Sequence, residues 1–506
     1  MRIAMLLTLL ALTTIGAAAA TQPGNPKALW VIEPGKMNRG EEILAATLQG
    51  HTARDKDARI WIKQGGMSGI LFEGMKRDGV EIHEVGSVWD LVKQFRSKID
   101  GGIVYKDWTE TLSVATSLCG LKRGVAVGES ILDKAKAEGL PIIEDARQMT
   151  ERATLDKYKD QFKRGIVICQ ASDKGGQLRD FAVANKAFVF RHDKAEFCTE
   201  VTRALGPEAL VYGWGNDEHQ LVKQVSSANG TVVAANWCVN LSVMQNLPCR
   251  IKRPADAPIK SEDGVRYVAF VMSDGDNIQV LAGGWVSEKQ FWGNPHRGEF
   301  PMTWEMSPVL ADVAPRVLQH YYDAATPNDS FLCAGSPGYT FPHFQTDRKA
   351  LAKQTAGFLR RSDMNIVSVL NDNAGSMEDT IPLLELPEVD AVVYKEYSPY
   401  DRRKGAILWH KGKPCVSYRF ALWEGMLEPE AIAKEVAKMP ASPKTDEGSY
   451  ALINVHAWSY GSIGGPMEAI RRTIDLLPEN TRVVTANQVI AMIRGTFAGK
   501  HKVDRD

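Results

Sequence analysis

The stretch Val265–Met272 (VRYVAFVM) is almost wholly apolar, and Ser273-Asp274-Gly275-Asp276-Asn277 follows it directly. A strand with apolar residues on both faces must be covered on both faces. That requirement belongs to parallel sheets with helices packed outside, not to an antiparallel sheet with one wet side. The turn puts two carboxylates and a carboxamide at the strand's C-terminal end, where parallel α/β folds bind their ligands. A solvated turn held by Asx-type hydrogen bonds would use the same residues.

The pattern recurs downstream. Met302–Glu305 ends in Trp304-Glu305, Phe331–Ala334 leads into Gly335–Pro342, and Ile366–Leu370 ends in Asn371-Asp372-Asn373. Ala391–Lys395 ends in Glu396-Tyr397, and Pro414–Tyr418 ends in Arg419 with Trp423-Glu424 beyond. Ala451–Val455 ends in His456-Ala457-Trp458, and Arg482–Thr485 in Ala486-Asn487. Strand-plus-helix units repeated over about 240 residues suit a (β/α) barrel. We therefore expect an α/β protein whose residues 256–506 form an irregular TIM-like barrel of seven or eight strands. A loop with Trp292, Pro295 and His296 stands where one helix is missing.

Upstream, short apolar runs alternate with helical patterns. The runs are Ala28–Ile32, Ala58–Ile62, Gly102–Tyr105, Gly124–Gly128, Gly165–Cys169, Ala187–Arg191, Ala209–Gly213 and Thr231–Ala234. This predicts two or more small α/β lobes over residues 21–255, divided near 142–154. The Pro-, Lys- and Asp-rich Arg250–Gly264 connects them to the barrel. Gly213–Glu218 (GWGNDE) ends a strand and reads as a helix N-cap with an acidic first turn. No GxGxxG follows a strand and no GxxxxGK[ST] occurs, so nucleotide binding has no local support.

At 506 residues the chain exceeds one core. Its 61 Lys+Arg balance 61 Asp+Glu, so no nucleic-acid partner is implied. Arg2, an apolar run from Ile3 to Leu12 and Ala18-Ala19-Ala20 read as a cleaved signal peptide over residues 1–20. The expected location is periplasmic or secreted, without membrane insertion. The seven Cys form no CxxC or zinc spacing and read as mostly buried thiols, with Cys238 and Cys249 the one pair close in sequence.

On one barrel rim the strand ends would pool the acids Asp274, Asp276, Glu305, Asp372, Glu396 and Glu424 among aromatic side chains. Glycoside hydrolysis needs such a set: one carboxylic acid protonates the leaving oxygen and a second carboxylate acts as nucleophile or activates water. Aromatic faces stack on sugar rings, and an apolar wall keeps the acid protonated near neutrality. Each acid also has a structural reading as a turn former, a helix cap or an ion-pair partner, Glu396 with Arg402 or Arg403 among them. The expected pair is Asp274 or Asp276 with Glu396, with Glu305 and Asp372 in reserve. Trp304, Tyr339 and Trp458 would position sugar. Arg419 and His456 would bond hydroxyls, and Asn277, Phe341, Asn371, Tyr397 and Glu424 would complete the binding set. Neither cofactor nor metal is expected: Ile278 interrupts a calcium-loop pattern, and no two His are spaced as in metal-dependent deacetylases. A carbohydrate-binding protein with an inactive barrel and a deacetylase-like metal hydrolase are the alternatives.

Ser336–Pro342, reading SPGYTFP, resembles the signature of the GxGYxYP family of secreted bacterial proteins, proposed to be glycoside hydrolases. Ser336 stands for the first Gly and Phe341 for the second Tyr; Gly338, Tyr339 and Pro342 fit. A signal peptide, small α/β lobes and a barrel opening with SDGDN are also similar. The resemblance implies a carbohydrate-active enzyme. The first departure is compatible if position 336 has a negative φ. The second leaves position 341 a packing or stacking face.

Overall fold

The computed structural model describes residues 24–501; the expected signal peptide lies outside them. Three small parallel sheets come first. β1 (Ala28–Ile32), β2 (Ala58–Ile62) and β3 (Glu81–Glu84) pair in the order β2-β1-β3. β4 (Gly101–Tyr105), β5 (Gly124–Gly128) and β6 (Ile142–Asp145) pair in the order β5-β4-β6. β7 (Ile166–Cys169), β8 (Phe188–Phe190), β9 (Leu210–Gly213) and β10 (Thr231–Val233) pair in the order β10-β9-β7-β8.

The apolar runs became strands. β3 (EIHE) and β6 (IIED) were not anticipated; both lie at sheet edges, carry charges and are partly exposed. An edge strand is not bound to the apolar pattern of a central one. β6 opens the stretch 142–154, where a division was expected, and it pairs with β4. The change of sheet therefore comes after β6. Residues 248–264 hold no helix or strand. Arg253 anchors them through an ion pair to Asp256 at 2.7 Å and a bond to the Asp363 carbonyl.

The C-terminal half is built on one curled sheet. Its strands are β11 (Arg266–Met272), β12 (Met302–Met306), β13 (Asp329–Ala334), β14 (Ile366–Asn371) and β15 (Ala391–Glu396), then β16 (Ile407–His410), β17 (Lys413–Ser417), β18 (Phe420–Leu422), β19 (Tyr450–Val455) and β20 (Thr481–Val483). The order is β16-β17-β15-β14-β13-β12-β11-β19-β18, with β20 beside the start of β11. All pairs are parallel except the β16–β17 hairpin. β17 and β18 are nearly continuous. The Tyr418 N–H still bonds to Tyr394 in β15, whereas the Arg419 N–H bonds to Leu452 in β19. One extended stretch thus reaches both flanks of the sheet and draws them toward each other.

β11 is covered on both faces, as its composition requires. Val268, Phe270 and Met272 join one apolar cluster, and Tyr267, Ala269 and Val271 join another that includes the helix Ala486–Phe497. Burying a side chain such as Phe270 contributes about 2 kcal/mol. This packing fixes the height at which the SDGDN turn leaves the sheet.

Candidate active site

The turn after β11 is shaped by its backbone. Asp274 adopts φ +66°, which a short Asp side chain tolerates. A Cβ at Gly275 would stand 1.7 Å from the Glu305 carbonyl oxygen, so only glycine lets the turn lie against β12. Asp274, Asp276 and Asn277 consequently meet Glu305 in a cavity of about 540 Å³. Lys395 of β15 and Asn454 of β19 add to its floor, and Glu218 and Trp214, which follow β9, form part of its wall. Trp237 and Trp458 line it while remaining 56% and 50% exposed.

The carboxylates differ in surroundings. Burial, reinforced by the charges of Asp274 and Glu305 and opposed by Lys395, pushes Asp276 up to about 7. Asp274 accepts from Trp458 Nε1–H at 3.0 Å and from the Ser273 hydroxyl. Glu305 Oε1 receives Lys395 Nζ at 2.8 Å, Ser368 Oγ at 2.5 Å and Tyr418 OH at 3.4 Å. Lys395 also donates to Asn454 Oδ1 at 3.3 Å. Burial pushes Glu218 up as well, opposed by the bond it accepts from Tyr339 OH at 2.8 Å. Tyr400, Trp423 and His456 stack in sequence, with centroids 5.0 and 3.7 Å apart. Burial holds His456 below the ordinary histidine value.

The SPGYTFP loop ties this cavity together. Tyr339 exchanges backbone hydrogen bonds with Val232 of β10 at 2.8 and 2.9 Å. A Cβ at Gly338 would stand 2.6 Å from the Val232 carbonyl oxygen, so glycine is needed for that approach. The loop therefore joins the third sheet to the C-terminal half and presents Tyr339 to Glu218. The left-handed residue is Gly335, φ +76°, and Ser336 is not left-handed, which accounts for a side chain at that position.

Of the residues expected to form the site, Asp274, Asp276, Asn277, Glu305, Tyr339, Tyr397, His456 and Trp458 line the cavity. Seven others do not. Glu396, expected in the carboxylate pair, is buried in an ion pair with Arg403 at 2.7 Å. It follows Lys395 on β15, and successive side chains point to opposite faces. Trp304, one residue from Glu305, is turned into the core for the same reason, where its Nε1–H bonds Asp329 at 2.8 Å. Asp372 pairs with His219 at 2.7 Å. Asn371 accepts from the His343 N–H at 3.0 Å, and Phe341 is buried against Tyr339 and Tyr397. Arg419 donates to the Gly448 carbonyl at 3.0 Å, and Glu424 accepts from the Tyr460 N–H at 2.7 Å.

Glu218, Trp237, Lys395 and Tyr400 line the cavity without having been expected there. Asp217 is indeed the N-cap, accepting from Gln220 N–H at 2.9 Å, and that ordinary role hid the residue beside it. All seven cysteines are unpaired and six are buried, so Cys238 and Cys249 are not bonded. Among the described residues no group of three His, Cys, Asp or Glu side chains is placed to hold a metal ion. No helix among them is long and apolar enough to cross a membrane.

An acid- and aromatic-lined cavity at the C-terminal ends of parallel strands has the layout of the ligand or active site of an α/β protein. Family models match residues 264–494 ("GxGYxYP putative glycoside hydrolase C-terminal domain"), 164–246 ("GxGYxYP third domain") and 99–162 ("GxGYxYP_N second domain"). The chain belongs to the GxGYxYP family. It is also similar to a crystal structure titled as that of a "putative hydrolase" from Bacteroides thetaiotaomicron VPI-5482. The identity is 27%, with 94% of this chain and 96% of that one covered at a TM-score of 0.86. No curated protein matches the chain.

Proposed function

We propose that the protein is a glycoside hydrolase in which Asp276 is the proton donor and Asp274 the second carboxylate, with the curled sheet acting as an irregular barrel. The observation that carries this reading is Asp276 itself: a carboxyl held near 7 inside a cavity of about 540 Å³. Such a group is protonated in mildly acidic solution, as a leaving-group acid must be. In the proposed step the Asp276 proton moves to the glycosidic oxygen as the bond from that oxygen to the anomeric carbon breaks. Asp274 either attacks the anomeric carbon or takes a proton from the attacking water. Trp458 and Ser273 orient Asp274 through their donated hydrogen bonds.

Glu305 stays bonded to Lys395, and its charge helps raise Asp276. Trp237 and Trp458 offer faces to sugar rings, while Asn277, Asn454 and His456 offer polar atoms to hydroxyls. The expected signal peptide would bring the enzyme to glycans outside the cytoplasm. The test is new reducing ends from a panel of oligosaccharides, for wild type, Asp276→Asn and Asp274→Asn. Products from wild type and at least about a hundredfold loss in both variants are expected. Full activity in both variants, or no product from any glycan, would overturn the proposal.

A further inference from the structure

Four residues beyond the C-terminal ends of strands in the N-terminal sheets touch in series. Arg39 follows β1, Trp108 follows β4, Lys174 follows β7 and Trp237 follows β10. That end is where parallel sheets present their ligand loops. The Arg39 guanidinium lies 3.9 Å from the centre of the Trp108 ring. Arg39 also donates to the Ser172 carbonyl and, at 3.2 Å, to the Lys174 carbonyl. Lys174 Nζ lies 3.8 Å from the centre of the Trp237 ring. Trp237 is already part of the cavity wall, and its N–H bonds Gln279 Oε1 on the same wall at 3.0 Å. A continuous surface therefore runs from the cavity to Trp108, which itself lies outside the cavity lining.

Trp108 is held there at a cost. It is 64% exposed and its backbone is left-handed, φ +64°. A bulky side chain strains that conformation, and an exposed ring gains nothing from burial. Single exposed apolar residues need no explanation, but Trp108 and Trp237 share a construction. Each has a cation behind one face, which fixes the ring and leaves the opposite face open. The loop carrying Trp108 is pinned as well, because Ser172 Oγ donates to the Thr109 carbonyl at 3.0 Å. Fixed, open aromatic faces in line with a cavity suit a ligand made of repeated flat units.

We propose that the surface from Trp237 to Trp108 is a distal glycan site, and that the substrate is a chain long enough to reach it from the cavity. This rests on the carbohydrate reading and adds chain length to it. A sugar unit on Trp108 is tethered to the unit in the cavity, so it adds affinity without a second encounter. A disaccharide in the cavity does not extend across Lys174 and Arg39, and it gains nothing from Trp108.

The test uses the full chain with cello-, malto-, xylo-, manno- and chito-oligosaccharides, each as the disaccharide and as a long soluble oligomer. Binding and the release of reducing ends are measured for wild type and Trp108→Ala. In at least one series the long oligomer is expected to bind wild type at least about tenfold more tightly than the disaccharide. Trp108→Ala should lower that ratio about fivefold, the worth of one stacking face. No length preference in any series overturns the inference whether or not the variant folds, as does a ratio that Trp108→Ala leaves intact. A dimer that Trp108→Ala dissociates, with no length preference, would assign the surface to a second copy of the chain and also overturn it. Hydrolysis equally efficient on short and long chains would remove this inference and leave the hydrolase standing. A Trp108-dependent length preference in binding, with no hydrolysis of any glycan, would do the reverse.

Discussion

Replacing Asp276 with Asn should make the protein more stable while disabling it, and the gain should grow with pH. A carboxyl lifted from 3.8 to about 7 destabilises the fold by about 4 kcal/mol once the pH exceeds both values. The sign follows from proton binding. Below 3.8 the group is protonated in both states and nothing is lost. As the pH rises, the unfolded chain gives up the proton first, and the loss is complete above about 7. Some 2.5 kcal/mol of it, on the order of half, falls between pH 5 and 8. The side chain partly faces the cavity, and solvent there reduces this to about 1–2 kcal/mol. Asn mimics the protonated acid at every pH. Urea unfolding of both proteins at pH 5 and pH 8 should therefore show a stability difference larger at pH 8 by about 1–2 kcal/mol, or roughly 3–6 °C in the transition of the C-terminal half. Groups that do not interact with Asp276 titrate alike in both proteins and cancel. A difference equal at the two pH values, or smaller at pH 8, would refute the reasoning.

Gly275→Ala should lower stability by about 3 kcal/mol or more, because its methyl would collide with the Glu305 backbone; soluble yield and melting temperature report it. Glu396→Gln should lower stability by roughly 1–3 kcal/mol through the broken ion pair to Arg403, yet leave kcat/KM of the folded enzyme unchanged. A large kcat loss there would return Glu396 to the chemistry. Trp237→Ala should raise KM about fivefold, the loss of one stacking face at about 1 kcal/mol, without moving the melting temperature.

How much of this was legible in the chain depended on the kind of residue. Central strands such as β11 announce themselves because burial on both faces leaves only apolar residues. Edge strands such as β3 and β6 do not, since one flank meets water. The SDGDN turn was legible as a cavity lining because it joins a buried strand to two carboxylates with no space between. Glu305 and Glu396 looked equivalent in one dimension, each an acid at a strand end. Strand alternation separated them, and a shift of one residue decides which faces the cavity. Glu218 was beyond a local reading, because its place depends on Tyr339 bridging to Val232 from more than a hundred residues away.

The most direct measurement compares Asp276→Asn with wild type on two substrates sharing one glycone, one with a sugar leaving group and one with an activated phenol. An acid is needed only for the poor leaving group. The account predicts a loss of about 10²–10⁴ in kcat/KM for the sugar and less than about tenfold for the phenol. Equal losses on both substrates, or no loss on either, would contradict it.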